Sequence, residues 1–128
     1  MPLLPGISGR VELVVSDADT ASALRSGDVP VLGTPRVVAL VEEAACQAIS
    51  NDLDDGQTTV GASIQLDHVA PTPVGDGVVA EATLAKVEGR RLTFTVRVTD
   101  ARGLVAAGKH TRAIVKRQRF LENAGVEE

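Results

Sequence analysis

Three polar residues in the first 70 positions have the types needed for nucleophilic or acid–base chemistry. Thr34 opens a segment of helical periodicity, where the helix dipole favours developing negative charge. Glu42 follows at the border of the same apolar face, and His68 lies among the apolar residues of a later, alternating segment. A hydroxyl, a carboxylate and an imidazole are the components of a nucleophile–base–orienter arrangement or of a pair that activates water.

Two of these residues, Glu42 and His68, also have a purely structural interpretation. Glu42 can be a boundary residue that reaches for water, and a lone histidine on an apolar strand face is commonly a hydrogen-bonded core residue. Eight helical residues span about 12 Å, so Thr34 and Glu42 of one chain cannot touch. A site that uses both needs long side chains or a second subunit.

Residues 33–50 predict the only long helix of the protein. Its apolar stripe consists of Val37, Val38, Val41, Ala44, Ala45 and Ala48. We expect Thr34 to be the N-cap and Pro35 to take the first helical position, where a missing N–H costs nothing. Glu42 falls on the flank of the stripe, and Glu43 points away from it.

Five segments have the pattern of β-strands, one before the helix and four after it. They are residues 9–16, 59–70, 77–87, 92–100 and 104–115. A loop or short helical turn around 20–24 precedes the long helix. In the second strand, the face predicted to be buried carries Val60, Ala62, Ile64, Leu66, His68 and Ala70, with Gly61 on the opposite face. Short turns favour antiparallel pairing among the last four strands, which predicts an α+β fold with an antiparallel sheet wrapped around one long central helix.

Composition narrows the class of protein. A chain of 128 residues fits one domain, which we place over 1–128 with a core of about 9–115 and a charged C-terminal tail at 116–128. A net charge of −4 argues against nucleic-acid binding. No apolar run is long enough to span a bilayer, and the single cysteine, Cys46, fits a reducing compartment. We therefore expect a cytoplasmic protein without membrane contact.

Sites for metals and bound cofactors are not predicted. The chain has no cluster of histidine and cysteine at metal-ligand spacing. It also lacks a P-loop and a dinucleotide-binding fingerprint. Cys46 has no base near it in the sequence, so we interpret it as structural.

Four segments resemble the hot-dog-fold thioesterases, and the fluoroacetyl-CoA thioesterase family most closely. They are GTPRVVALVEEA (33–44), TVGASIQLDHVAPTPVG (59–75), VEGRRLTFTVRVTD (87–100) and GKHTRAIV (108–115). The resemblance implies a hot-dog fold that pairs edge to edge into a homodimer, with sites at the interface. It also implies hydrolysis of acyl-CoA thioesters by a catalytic threonine, glutamate and histidine, which match Thr34, Glu42 and His68.

The same resemblance implies two substrate-binding residues. Gly61 matches a glycine whose backbone N–H holds the thioester oxygen, and Arg112 matches an arginine of the same site. Coenzyme A is then part of the substrate and not a cofactor. Pro35 replaces a glycine beside the catalytic hydroxyl, and Asp28 replaces a phenylalanine that gates the fluoroacetyl-specific site. We therefore expect hydrolysis of a small or medium acyl thioester without strong preference for the fluoroacetyl group.

Two other functions remain open from the sequence. A hot-dog hydratase or dehydratase would need a histidine and an aspartate paired at the substrate, but Asp67 alternates to the opposite strand face from His68. A non-catalytic acyl-binding domain could use the same fold. Release of thiol from a thioester separates the hydrolase from the non-catalytic domain.

Overall fold

Five strands and three helices form the protein, which is described over residues 3–127 by a computed structural model. The strands are β1 (Ser8–Val14), β2 (Gln57–His68), β3 (Gly77–Glu88), β4 (Arg91–Asp100) and β5 (Gly103–Lys116). The helices are α1 (Ala21–Leu24), α2 (Thr34–Ile49) and α3 (Arg117–Asn123), with a 3-10 turn at Asp17–Asp19. The five predicted strands and the long helix are confirmed. The charged tail, for which no secondary structure was predicted, contains α3.

The sheet is antiparallel throughout, in the order β1-β3-β4-β5-β2. Pairing of β3 with β4 and of β4 with β5 was predicted, but β2 pairs with β5 and not with its sequence neighbour β3. The link 69–76 carries Pro71 and Pro73, which have no N–H for a ladder. This link connects the β2 edge of the sheet to β3, which lies next to the opposite edge. Within the link, Thr72 O accepts a hydrogen bond of 2.9 Å from Leu32 N.

The helix α2 packs on one face of the sheet, chiefly against β1 and β3. Its buried side chains are Val37, Leu40, Val41, Ala44, Ala45 and Ile49. The predicted stripe is thus rotated towards Leu40 and Ile49, with Val38 and Ala48 only half-buried. β1 approaches α2 so closely that a side chain at Gly9 would meet the backbone of Ala44. The β2 edge of the sheet is less covered by α2.

The first turn of α2 differs from the prediction. Gly33 is the N-cap, so Thr34 and Pro35 occupy the first and second helical positions. Gly33 O accepts from Val37 N at 3.2 Å, and a Cβ at Gly33 would lie 3.0 Å from the backbone of Ala21. A residue without a side chain fits this contact, and the Thr34 hydroxyl is left free for another partner.

A β-bulge in β2 also changes a predicted face. Gly61 pairs with Arg112 and Ser63 pairs with Thr111, so Ala62 is an extra residue. The extra residue reverses the alternation on its N-terminal side: the missing side chain of Gly61 points at α2, while Val60 does not pack against the core and Ala62 is exposed. Beyond the bulge, Ile64 and Leu66 pack against the core as predicted.

Within residues 3–127, no helix is both long enough and apolar enough to cross a bilayer.

Candidate active site

The structure brings Thr34 and His68 together. Thr34 Oγ1 and His68 Nδ1 lie 2.8 Å apart in a hydrogen bond. Thr34 is exposed on the first turn of α2, and His68 is the half-buried last residue of β2. The two ends meet because the segment before α2 pairs with the link after β2, through the Val31–Pro73 bridge.

The pair can carry out acid–base chemistry. His68 Nε2 is buried and has no hydrogen-bond partner within the described chain, 3–127. One ring nitrogen therefore serves the Thr34 hydroxyl, while the other is left for a substrate, a water or a second subunit. A histidine in hydrogen-bond reach of a hydroxyl can accept its proton. Thr34 also sits at the positive end of the α2 dipole, which stabilises negative charge formed there.

Glu42 belongs to a second group of residues. Its Oε2 accepts a hydrogen bond of 3.0 Å from Nη1 of Arg112. Arg112 is held from β2, since its Nε donates to Thr59 Oγ1 at 2.9 Å and its Nη2 donates to Thr59 O at 3.1 Å. The Arg112 side chain is 7% exposed and the Glu42 side chain 39%. Glu42 is thus more than a boundary residue in water: one of its oxygens is tied to a buried cation while the side chain remains open to solvent.

His110 completes this second group and was not predicted as a site residue. Its ring is 2% exposed and stacks on Phe94, with ring centroids 6.3 Å apart. Nδ1 bonds Ser63 O at 2.8 Å, and Nε2 bonds Arg112 Nη1 at 3.1 Å. Burial lowers the pKa of His110, and the nearby Arg112 charge lowers it further, against the opposing effects of Ser63 O and Glu42. The only signal in the sequence was its position two residues before Arg112 on one strand.

Gly61 lies against the second group. A Cβ at this position would stand 2.5 Å from Glu42 Oε2 and 3.5 Å from Arg112 Nη1. The absence of a side chain therefore leaves room for the Glu42 carboxylate. Of the five predicted site residues, three meet here (Glu42, Gly61 and Arg112) and two meet at the start of α2.

The two groups are separate within one chain. Glu42 bonds neither Thr34 nor His68, because eight helical residues place it about 12 Å further along α2. Asp67, the partner that a hydratase would need, is exposed. No set of three or more histidine, cysteine, aspartate or glutamate side chains in residues 3–127 is placed to hold a metal ion.

Comparison with known proteins identifies similar sequences and folds. The family described as fluoroacetyl-CoA-specific thioesterase matches residues 15–118. The fluoroacetyl-CoA thioesterase of Streptantibioticus cattleyicolor is 36% identical over 90 residues, a match that covers 70% of this chain and 65% of that protein. The chain therefore aligns with just under two thirds of the length of this curated relative.

Solved structures extend the likeness to nearly the whole chain. A structure of the fluoroacetyl-CoA thioesterase FlK superposes with a TM-score of 0.92 at 28% identity, covering 98% of this chain and 97% of that one. A hypothetical protein of Thermus thermophilus, a thioesterase superfamily member, superposes with a TM-score of 0.90 at 25% identity, covering 97% and 92%. The predicted hot-dog fold is confirmed.

Proposed function

This chain belongs to the fluoroacetyl-CoA-specific thioesterase family, and from that membership we propose that it hydrolyses an acyl-CoA thioester with Thr34, His68 and Glu42. The observation that carries the proposal is the 2.8 Å hydrogen bond between Thr34 and His68 at the start of α2. A thioester suits this pair because a thiolate is a good leaving group, so modest activation of the attacking oxygen suffices. The matched relative in Streptantibioticus cattleyicolor is named for the same class of substrate.

The pair can act in two ways. In the first, Thr34 Oγ1 attacks the thioester carbonyl carbon while His68 takes the hydroxyl proton. The C–S bond then breaks, the CoA thiolate receives that proton, and water hydrolyses the acyl ester left on Thr34. In the second, Thr34 and His68 position a water that attacks the carbonyl carbon directly. Both routes release coenzyme A and a carboxylic acid.

Glu42, Gly61 and Arg112 complete the proposed site. Glu42 has one oxygen held by Arg112 and a side chain that is 39% exposed, so it can assist the attacking water or orient the substrate. Gly61 would supply its backbone N–H to the thioester oxygen, as the family resemblance implies. Because Glu42 does not reach Thr34 or His68 of its own chain, we propose that a homodimer unites them.

The test is thiol release from a panel of acyl-CoA substrates. We expect His68→Ala and Glu42→Ala each to lower kcat by roughly 100-fold or more, the scale of a positioned acid–base group. Thr34→Ala should do the same if Thr34 is the nucleophile, and less if it positions water. Glu43→Ala is the matched control, because Glu43 is the exposed neighbour of Glu42 on α2.

Two outcomes would contradict the proposal. Wild-type rates in folded Thr34, His68 and Glu42 variants would exclude this site. Binding of acyl-CoA by the wild-type protein without thiol release would favour the non-catalytic acyl-binding domain.

A further inference from the structure

We propose that His110 is a positioning residue that orients Arg112 and, through Arg112, the Glu42 carboxylate. The inference rests on the proposed function, because Glu42 matters to turnover only if the second group forms part of the site. It concerns a residue that no resemblance assigned a role.

The hydrogen bonds of His110 determine its tautomer. Ser63 O can only accept, so the bond of 2.8 Å requires a proton on His110 Nδ1. A guanidinium can only donate, so the 3.1 Å bond from Arg112 requires a lone pair on Nε2. His110 is therefore the neutral Nδ1–H tautomer, fixed at both ends and stacked on Phe94.

The acceptor on His110 sets the direction of one guanidinium nitrogen. Nη1 of Arg112 has two hydrogens, and these serve Glu42 Oε2 at 3.0 Å and His110 Nε2 at 3.1 Å. The remaining bonds of Arg112 go to Thr59. Without the His110 lone pair, a buried N–H would lose its partner, and the guanidinium could turn away from Glu42 to satisfy it.

The His110 ring also contacts the bulge in β2. Ser63, whose carbonyl accepts from His110, is the residue that resumes pairing after the extra Ala62. Gly61, on the other side of the bulge, faces Glu42. His110 thus connects the position of the bulged strand to the direction of the Arg112–Glu42 pair.

Two isosteric substitutions test the two ring nitrogens separately. His110→Gln places an amide oxygen near the position of Nε2 and can still accept from Arg112. His110→Asn places an amide nitrogen near Nδ1 and retains only the bond to Ser63 O. We expect His110→Asn to lower kcat for thioester hydrolysis roughly 10- to 100-fold, the usual effect of removing a group that orients a reacting residue. His110→Gln should stay within about threefold of wild type, since the link to Arg112 survives.

The Arg112→Met variant serves as a second genetic background and shows whether His110 acts through Arg112. In Arg112→Met, the added His110→Asn substitution should lower kcat no further, because the link is already broken. Equal losses in both backgrounds, or equal rates of the Asn and Gln variants in an active enzyme, would overturn the inference and leave the proposed function standing.

A spectroscopic measurement on the wild-type protein does not depend on turnover. The chain has two histidines, so the ¹⁵N spectrum of wild-type protein labelled at histidine contains the ring-nitrogen signals of two imidazoles. The two signals that are absent from the spectrum of His110→Gln or His110→Asn belong to His110. Should both variants fail to fold, the Thr34-bonded ring is identified instead by its response to Thr34→Ala. We expect His110 to be protonated at Nδ1 and not at Nε2 at pH 7. An Nε2–H tautomer or an imidazolium would overturn the inference, whereas a wild-type enzyme that releases no thiol but shows the expected tautomer would contradict only the proposed function.

Discussion

One or two contacts determine what the polar site residues of this protein can do. Glu42 is paired with a buried arginine, yet its side chain is 39% exposed, which leaves a carboxylate oxygen available to a substrate. Thr34 is freed for the His68 bond because Gly33, and not Thr34, is the N-cap of α2. In both arrangements a polar group lies at the edge of the core, where a hydrogen bond holds it in position and solvent can still reach it.

We expect the residue at position 28 to affect substrate preference. Asp28 is exposed in the segment between α1 and α2, where the family resemblance implies a gating phenylalanine. Neither phenylalanine of the chain belongs to this segment, since Phe94 is fully buried in β4 against His110 and Phe120 lies in α3. One apolar contact supplies discrimination of only about 10- to 200-fold.

We therefore expect kcat/KM for fluoroacetyl-CoA and acetyl-CoA to differ by less than about 200-fold. Asp28→Phe should raise the preference for the fluorinated substrate, while Ser26→Phe, at another exposed position of the same segment, should not. The measurement is kcat/KM for both thioesters side by side. A fluoroacetyl preference of about a million-fold, far above what one contact supplies, would show that discrimination does not depend on this position.

Among the secondary-structure elements, the bulge in β2 determines which residues of this strand face α2. It turns Gly61 towards α2 and leaves Ile64 and Leu66 on the core. If Ala62 were instead paired as an ordinary strand residue, Gly61 and Ile64 would lie on opposite faces of the sheet, because successive side chains alternate. The bulge therefore allows Gly61 to lie close to Glu42 while Ile64 and Leu66 still pack on the core.

Gly61→Ala tests that approach. Its Cβ would lie 2.5 Å from Glu42 Oε2, so the flexible carboxylate must move away from Arg112 while the backbone need not. We expect kcat to fall roughly 10- to 100-fold with little change in thermal unfolding temperature. Gly27→Ala is the control, because its new Cβ would meet only Ala21 Cβ at an ordinary 3.4 Å. Wild-type kcat in folded Gly61→Ala would show that Glu42 has no need of this space.

At the scale of the whole molecule, the two edges of the sheet differ. The β1 edge is covered by α2, where the side chain of Gln47 accepts from Arg10 N at 2.6 Å. On the β2 edge, the consecutive residues Gly61, Ala62 and Ser63 are all exposed. An open strand edge is a template for pairing with another chain, so we propose that the homodimer forms through β2.

Subunit complementation tests whether the dimer unites the two groups of site residues. Thr34→Ala and Glu42→Ala proteins, whose separate rates set the baseline, are mixed under conditions that exchange subunits. If Glu42 of one subunit serves Thr34 of the other, half of the dimers are mixed and each has one intact site, which restores about a quarter of wild-type activity. Mixing either variant with Thr34→Ala/Glu42→Ala is the control and should restore none. A monomeric mass by light scattering at micromolar concentration, or a dimeric mass without rescue, would contradict this arrangement.

Local sequence was sufficient to predict the five strands, the long helix and three candidate residues. Side-chain alternation and helical spacing are properties of one segment, and they placed the five strands and the long helix within two residues of their observed ends. Thr34, Glu42 and His68 could be singled out because each is a polar residue at the start, the border or the interior of such a pattern. The α+β layer arrangement followed from the order of these segments.

Which of these residues come into contact depends on the three-dimensional arrangement of the elements. The Thr34–His68 bond joins residues 34 positions apart, and the Arg112–Glu42 bond joins residues 70 apart. The pairing of β2 with β5 and the bulge at Ala62 bring together residues of different segments, so neither contact can be derived from one segment alone. The role inferred for His110 has the same origin: as a sequence position it is one more residue on a strand, and the neutral form inferred for it follows from its hydrogen bonds to Ser63 and Arg112.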